Sequence, residues 1–317
     1  MRISELGVED LKPVAGMPLL LEVNTQGVKL LDWAQENQED VRRLVTENGA
    51  LLIRGLRFLG SQQFGSLLST LFGSELLEYR YRSTPRTKLR DNVYTATEYP
   101  AHETIPQHNE NAYSRKWPTR IGFLCLLPSK TGGETPIADS RLIYDRISPD
   151  IRAEFEEKGV MYVRNYSDLD LPWTEVFQTD DRQEVERYCD ENHIEYEWIG
   201  EARLRTRQVN AASLVHPITG KRVWFNQAHL FHVSSLHPDI QDTLIESLGK
   251  EYLPRNCYFG DGSEIDERSL QEVRRVYEET LIKFSWQQND LLLLDNLRFS
   301  HGREPFTGER RVLTGMA

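Results

Sequence analysis

The sequence has no long apolar run, no paired cysteines and no recognisable leader. Its longest notable apolar stretch, IGFLCLL at residues 121–127, is far shorter than the about 20 residues that a transmembrane helix needs. The start, MRISELGVED, lacks the apolar segment of a secretory signal. The three cysteines lie far apart and form no Cys-x-x-Cys pair, which favours unpaired thiols in a reducing compartment. These absences predict a cytoplasmic protein that does not bind a membrane.

Positive charge is also in short supply. The chain of 317 residues has 38 lysines and arginines against 49 aspartates and glutamates, a formal net charge of -11. Such an acidic chain is poorly suited to binding nucleic acid or an anionic membrane. Its hydrophobic fraction of 39% is ordinary for a globular protein. Because no repeat, low-complexity tract or convincing linker interrupts it, residues 1–317 are predicted to form a single domain.

Helix and strand signals mix without the regular alternation of a doubly wound fold. Helices are predicted over residues 40–48, 61–72 and 181–192, and from Ser148-Pro149, a cap followed by a first-turn proline, to Gly159. Short apolar or alternating segments predict strands at residues 50–56, 161–166, 222–226, 281–286, 290–295 and 310–316. Residues 254–265 are predicted to be a loop, because Gly260 and Gly262 flank an aspartate. The pattern predicts a mainly β core with flanking helices.

What the sequence does contain is an unusual polar cluster, PQHNENAY, at residues 106–113. His108 and Glu110 are two residues apart, so in an extended chain their side chains point to the same face. One imidazole and one carboxylate would then lie within reach of a single ion. A lone His-x-Glu is a weak pattern, however, and by itself it does not establish a metal site.

A second histidine strengthens the metal hypothesis. In LLLLDNLRFSHGREPF, His301 follows a very apolar predicted strand. Two imidazoles and one carboxylate form the facial triad of non-haem Fe(II) oxygenases, although this set does not by itself exclude zinc. His229 and His232 are spaced as on a helix and have no such carboxylate beside them, so they are predicted to be core or pocket residues.

The segment after His301, GERRVLTGMA, predicts a strand that begins with Arg310 and Arg311. A guanidinium matches a carboxylate with two parallel hydrogen bonds. A dicarboxylate such as 2-oxoglutarate can chelate a metal at one end and meet such an arginine at the other. Because strand residues alternate between faces, only one of the two arginines should point inward.

Several stretches together resemble a known family. They are VYTATEYP, IPQHNENAY, GGETPIADSR, VRNY, HPITGKRVWFNQAHLFH, LPRN, FGDG and LLLDN followed by HGREPFTGERRVL. In this order, from about Val93 to the last residues, they resemble the taurine dioxygenase family of Fe(II)/2-oxoglutarate-dependent oxygenases, and within it the branch of syringomycin-biosynthesis hydroxylases. The resemblance implies a double-stranded β-helix, or jelly roll, with helices outside.

The resemblance also implies roles for individual residues. His108, Glu110 and His301 would bind Fe(II) and form the catalytic centre. Thr135, after Gly-Gly-Glu, and Arg311 would bind the far carboxylate of 2-oxoglutarate, with Arg310 as the second choice for the arginine.

Residues that would bind the substrate are harder to assign. Family members often carry a substrate-binding arginine four residues after the 2-oxoglutarate arginine, but here Gly315 occupies that position. Substrate contacts must then come from elsewhere. Asn226 and Gln227 are predicted to form polar pocket walls. The arginines that can reach a pocket are Arg86, Arg205 and Arg207.

The implied reaction is hydroxylation, with O₂, of an unactivated C–H bond in an amino acid, free or carried as a thioester on a carrier protein, in natural-product biosynthesis. A desaturase or cyclase with the same triad is an alternative, and so is a non-catalytic jelly-roll protein that binds a small molecule. Relatives that chlorinate their substrates carry alanine or glycine where this chain has Glu110, which favours hydroxylation.

Overall fold

A computed structural model describes residues 17–25, 27–58, 62–79, 81, 83–84, 86–96, 99–167, 169–200 and 203–317. Its strands are β1 (Leu19–Glu22), β2 (Ala50–Arg54), β3 (Tyr94–Thr95), β4 (Ile105–His108), β5 (Arg120–Leu127), β6 (Thr131–Gly132), β7 (Ile137–Asp139), β8 (Val160–Tyr166), β9 (Glu195–Ile199), β10 (Arg203–Asn210), β11 (Ser213–Val215), β12 (Arg222–Trp224), β13 (Arg255–Phe259), β14 (Leu291–Asp295), β15 (Phe299–Arg303), β16 (Phe306–Thr307) and β17 (Arg311–Met316). Its α-helices are α1 (Leu30–Asn48), α2 (Gln62–Phe72), α3 (Ser140–Arg146), α4 (Pro149–Lys158), α5 (Trp173–Phe177), α6 (Arg182–Glu191), α7 (Ala228–Phe231), α8 (Pro238–Leu248) and α9 (Glu267–Glu279). Two short 3₁₀ helices, Val233–Ser235 and Lys250–Tyr252, follow α7 and α8.

The largest sheet has six strands in the order β1-β2-β14-β5-β17-β3. Its central strand β14 is a run of four leucines that are buried on both faces. Leu291 and Leu293 pack with α1 and α2 on one side, whereas Leu292 and Leu294 pack with Phe299 and other residues on the opposite side. The period of two along a strand therefore separates an outer, helix-covered face of the sheet from an inner face.

A three-stranded sheet, in the order β4-β15-β7, covers that inner face. Its central strand contributes Phe299, and β7 contributes Ile137, to the cluster that also holds Phe123, Cys125 and Val312 of the six-stranded sheet. The two sheets thus share one apolar layer. His108 ends β4 and His301 lies in the middle of β15, so both predicted histidine ligands lie at the edge of this layer.

A second core lies beside the first. The sheet with the order β13-β8-β10-β9 packs through residues such as Tyr162, Phe259 and Leu204 against α6, α7 and α9. Helices and strands take comparable shares of the described chain, so the fold is mixed, with more helix than the mainly β prediction. No helix in the described part of the chain is long and apolar enough to cross a membrane.

Most predicted elements are confirmed, but the strand predicted at residues 281–286 and the loop predicted at residues 254–265 are wrong. The helix expected over residues 40–48 begins ten residues earlier, at Leu30, and the start expected at Ser61 lies outside the described residues. The segment 281–286 forms no strand and pairs only through an isolated bridge between Ile282 and Ile137. The expected loop at 254–265 begins with β13, because Cys257 and Phe259 are buried while their backbone pairs with β8.

Candidate metal centre

Strand pairing brings the two predicted histidine ligands together. In the antiparallel ladder of β15 and β4, His301 lies directly opposite His108, and their ring centroids are 4.5 Å apart. His108 Nδ1 donates to the carbonyl oxygen of Pro106 at 2.8 Å. A backbone acceptor of this kind fixes the tautomer of a metal-binding histidine and leaves Nε2 free for the metal.

Glu110 is the third member of the group. The ladder ends at His108, and Asn111 then adopts a positive φ of 56°, so the chain turns just after the carboxylate. One ligand atom from each of His108, Glu110 and His301 lies within 4.8 Å of the other two. Three donors this close, with one carboxylate among them, fit a divalent cation and match the facial ligand set of non-haem iron enzymes.

The position of Glu110 depends on the side chain of Asn296. Asn296 Oδ1 accepts from the backbone N–H of Glu110 at 2.7 Å, while Asn296 Nδ2 donates to the carbonyl oxygens of Glu110 at 3.0 Å and Pro118 at 2.8 Å. In return, Asn109 Nδ2 donates to the carbonyl oxygen of Asn296 at 2.7 Å. The turn after β14 therefore fixes the backbone of the His-x-Glu segment on both sides.

The electrostatics suit metal binding. Burial, together with the nearby His301, lowers the pKa of His108 to about 4, so its imidazole is neutral near pH 7, as a ligand must be. Burial alone would raise the pKa of Glu110, but Arg86 and the two histidines hold it well below its ordinary value. Arg86 Nη2 lies 2.7 Å from Glu110 Oε2, and both side chains are buried. Glu110 is therefore a carboxylate at neutral pH.

His108 and His301 line a cavity, and Arg86, which pairs with Glu110, lines it as well. Its wall includes Phe123, Val312 and Gly302. Gly302 lies at a register shift between β15 and β4, where a Cβ atom would stand 2.5 Å from the carbonyl oxygen of Ile105 and 2.9 Å from Gln107 Nε2. A glycine is required at this close approach of the two strands.

The expectation that Arg311 points inward is wrong. Its side chain is 60% exposed and lies 3.6 Å from Glu309, whereas Arg310 lines the cavity together with Thr135. Val312 packs in the inner cluster and Leu313 in the outer one, so the period of two along the strand places Arg310 on the inner side with Val312. Gly315, four residues after Arg311, faces Leu68 and Leu76 on the outer side, which removes that position from the cavity.

Arg310 and Thr135 are held next to each other. Arg310 Nε donates to the carbonyl oxygen of Gly133 at 2.9 Å, and Arg310 Nη2 lies 3.5 Å from Thr135 Oγ1. Trp286 Nε1 donates to the same hydroxyl oxygen at 3.1 Å. A Cβ atom on Gly133 would stand 3.0 Å from Arg310 Cδ. The Gly-Gly-Glu-Thr segment thus leaves room for the arginine and presents the threonine beside it.

The other sequence candidates lie outside the metal group. His229 Nε2 donates to the carbonyl oxygen of Gln107 at 3.0 Å, and burial lowers the pKa of His229 to about 3. His232 caps Ser234. Asn226 and Gln227 are buried but bind backbone, and Gln227 Nε2 supports the His-x-Glu segment through the carbonyl oxygen of Asn109 at 2.8 Å.

Of the three arginines predicted to reach a pocket, Arg86 alone lines the cavity in the described part of the chain, whereas Arg205 and Arg207 lie on β10 beside a separate surface groove. The sequence analysis assigned no role to Asn296. The sequence feature that could have indicated its role is an asparagine directly after a buried strand, where the side-chain amide can bind two backbone segments.

Comparisons with known proteins agree with this geometry. The chain matches the family described as "Taurine catabolism dioxygenase TauD, TfdA family" over residues 9–317. It is 43% identical over 273 residues to the dapdiamide synthesis protein DdaC of Enterobacter agglomerans, covering 86% of this chain and 83% of that protein. It is 30% identical over 319 residues to a clavaminate synthase-like protein of Arabidopsis thaliana, covering 96% and 91%. Among solved structures, PvcB of Pseudomonas aeruginosa superposes with a TM-score of 0.55 at 16% identity, covering 94% of this chain and 84% of PvcB.

The fold and the group of two histidines and one carboxylate define the class of the protein as a non-haem iron oxygenase. More specifically, the chain belongs to the TauD/TfdA family of dioxygenases. The predicted cofactors, Fe(II) and 2-oxoglutarate, are those of this class, and the His-Glu-His group fits the metal.

The two-sided contact of Asn296 with Glu110 generates a prediction. Asn296→Ala removes both hydrogen bonds to the backbone of Glu110 and should weaken Fe(II) binding by about 10- to 100-fold, the usual effect of losing an outer partner of a metal ligand. Equilibrium titration with Fe(II) under anaerobic conditions measures it. The matched control is Asn256→Ala, since Asn256 is a buried amide on β13 that also binds backbone. Equal iron affinity in the two variants would show that Asn296 does not position Glu110.

Proposed function

We propose that this protein is an Fe(II)/2-oxoglutarate-dependent hydroxylase in which residues 1–317 form one jelly-roll domain. The observation that supports it best is the convergence of two groups on one cavity. The metal-binding geometry of His108, Glu110 and His301 is at one part of the wall, and the Thr135–Arg310 pair is at another. A metal chelator with a second, distant carboxylate fits between them, and 2-oxoglutarate has this form.

In the proposed centre, His108, Glu110 and His301 would hold Fe(II). When bound, iron with 2-oxoglutarate and O₂ would supply an oxidant strong enough for an unactivated C–H bond, and the products would be hydroxylated substrate, succinate and CO₂. The chain orients the imidazole of His108 through the carbonyl oxygen of Pro106, keeps Glu110 ionised through Arg86, and surrounds the site with apolar walls such as Phe123 and Val312. These walls exclude water from the reacting atoms.

Arg310 is the proposed partner of the C5 carboxylate of 2-oxoglutarate, with Thr135 beside it. Burial, with the neighbouring Arg303, lowers the pKa of Arg310 to about 10. A guanidinium in such surroundings is stabilised when a carboxylate neutralises it. The side chain is also held in place by Gly133 before any ligand binds, so little of its freedom is lost on binding.

The substrate is proposed to be an amino acid or an amino-acid-like unit of a peptide natural product, free or presented by a carrier protein. This is supported by the 43% identity to a dapdiamide synthesis protein. The proposed location of the protein is the cytoplasm. Desaturation or cyclisation needs the same ligands, so only the product separates these outcomes from hydroxylation.

Loss of either histidine should abolish iron binding and activity. His108→Ala and His301→Ala each remove one of three ligands, so Fe(II) affinity and Fe(II)-dependent succinate formation should fall to background while circular dichroism keeps the folded spectrum. His232→Ala serves as the control, because His232 caps Ser234 and lies outside the metal group. Unchanged iron affinity in both ligand variants would remove the assignment.

The two adjacent arginines allow a matched test of 2-oxoglutarate binding. Arg310→Ala should raise the apparent KM for 2-oxoglutarate about a hundredfold, since losing a buried charged hydrogen bond costs a few kcal/mol and about 1.4 kcal/mol is tenfold. Arg311→Ala should change it by less than about threefold, because its side chain is exposed and does not line the cavity. Succinate formation at varied 2-oxoglutarate measures both. The reverse order of effects would show that Arg311 is the 2-oxoglutarate residue.

Glu110 predicts hydroxylation rather than chlorination. The carboxylate fills the iron position that chloride occupies in chlorinating relatives, so the product should gain one oxygen atom from O₂ even in excess chloride. Mass spectrometry of the product formed under ¹⁸O₂ measures this. A chlorinated major product would contradict the prediction, and a product lighter by two hydrogens would indicate desaturation.

A further inference from the structure

Arg86 is a buried charged residue next to the metal group. The proposed reaction uses only part of its hydrogen-bonding capacity. Arg86 lies between α2 and β3, its side chain is 3% exposed, and Nη2 pairs with Glu110 at 2.7 Å. Nε and Nη1 have no hydrogen-bond partner among the described residues. These two nitrogens carry three of the five N–H donors of a guanidinium. Buried donors without acceptors are costly, and Arg86 lines the cavity, so a ligand bound there is the nearest candidate acceptor.

The other arginines of the cavity offer less to a substrate, because in Arg303 only Nε lacks an acceptor among the described residues and Arg310 is the proposed partner of 2-oxoglutarate. Arg303 donates through Nη1 and Nη2 to the carbonyl oxygens of Tyr99, Pro100 and Glu103. Arg310 binds Gly133 and lies beside Thr135. Arg86 contacts the aromatic ring of Tyr79, with Cζ 4.7 Å from the ring centroid, which fixes the guanidinium plane without using its donors. Arg86 is therefore held rigidly with donors available next to the reacting centre.

The charges of the cavity also require an anion. Three guanidiniums and one carboxylate, Glu110, line it or touch its lining. Fe(II) and the 2-oxoglutarate dianion together add no net charge, so positive charge remains in excess after both have bound. In a buried site, uncompensated charge of one sign is strongly unfavourable. A substrate carboxylate placed beside Arg86 would offset this excess locally, whereas an amide at that position would not.

We propose that Arg86 binds a free carboxylate of the substrate and places the substrate over the metal face. The inference rests on the proposed function and narrows it. A substrate recognised in this way is a free acid, because an amide or a carrier-bound thioester has no negative charge at that carboxyl group. The carboxylate would accept from Nη1 while Nη2 stays on Glu110, so one side chain would position both the metal ligand and the substrate.

The test uses the full chain loaded with Fe(II) and 2-oxoglutarate. The probes are L-amino acids and their dipeptides, each as the free acid and as the C-terminal amide, and the readout is succinate formed above the rate without probe. For wild type, kcat/KM for a stimulating acid should exceed that for its amide by about a hundredfold. In Arg86→Gln the acid should lose most of its kcat/KM through KM, and the ratio of acid to amide should fall to within about threefold. Arg86→Lys should restore part of the ratio, because it keeps the charge.

Several results would overturn the proposal. They are equal stimulation by acids and amides, no stimulation by any acid of the panel, or an unchanged ratio in Arg86→Gln. An Arg86→Gln effect confined to the KM for 2-oxoglutarate would assign Arg86 to the co-substrate instead. A failure of the proposed function is distinguishable from all of these, because the wild-type protein would then form no succinate that depends on Fe(II) and 2-oxoglutarate, with or without probe.

Discussion

The antiparallel register of β4 and β15 sets His108 opposite His301, and every other part of the site is arranged around that pair. Because side chains alternate along a strand, a shift of one residue would turn one imidazole away from the other. The register is fixed from outside the pair. Gly302 permits the close approach of the strands, and the buried Gln107 binds the carbonyl oxygen of Pro136 through Nε2 and Ser300 through Oε1.

The carboxylate ligand depends on a different element, the end of β14. That strand lies in the middle of the six-stranded sheet and is buried on both faces, so it is among the most rigid parts of the fold. Asp295, at the end of this strand, is held in place by two contacts. Its Oδ2 lies 2.8 Å from His216 Nε2, and its Oδ1 accepts from the N–H of Leu297. Asn296 then transmits the position of the sheet to the backbone of Glu110 through the reciprocal amide contacts. A triad drawn from distant parts of the sequence is thus fixed by backbone geometry.

Local pattern sufficed for the metal ligands and failed where tertiary packing decides. His-x-Glu and a histidine after a buried strand are readable because ligand chemistry restricts residue type and spacing. The orientation of Arg310 and Arg311 was not readable, because Val312 and Leu313 are both apolar and only tertiary packing assigns one to the inner cluster and the other to the outer cluster. The apolar segment 281–286 satisfied every strand signal, yet its side chains Phe284 and Trp286 are buried without a partner strand. Arg86 and Asn296 act through long-range contacts, which no short motif encodes.

In the buried centre, burial and the pairing of Arg86 with Glu110 have opposite effects on the pKa values of these two groups. Burial alone would raise the pKa of Glu110, which is unfavourable for a metal ligand, and the adjacent guanidinium reverses this effect. Burial would likewise lower the pKa of Arg86, but Glu110 raises it above its ordinary value, so each group keeps the other ionised. An Arg86 that is always charged attracts anions to the cavity whether or not iron is bound. The charge state of the metal-binding carboxylate and the proposed substrate contact therefore depend on the same buried guanidinium.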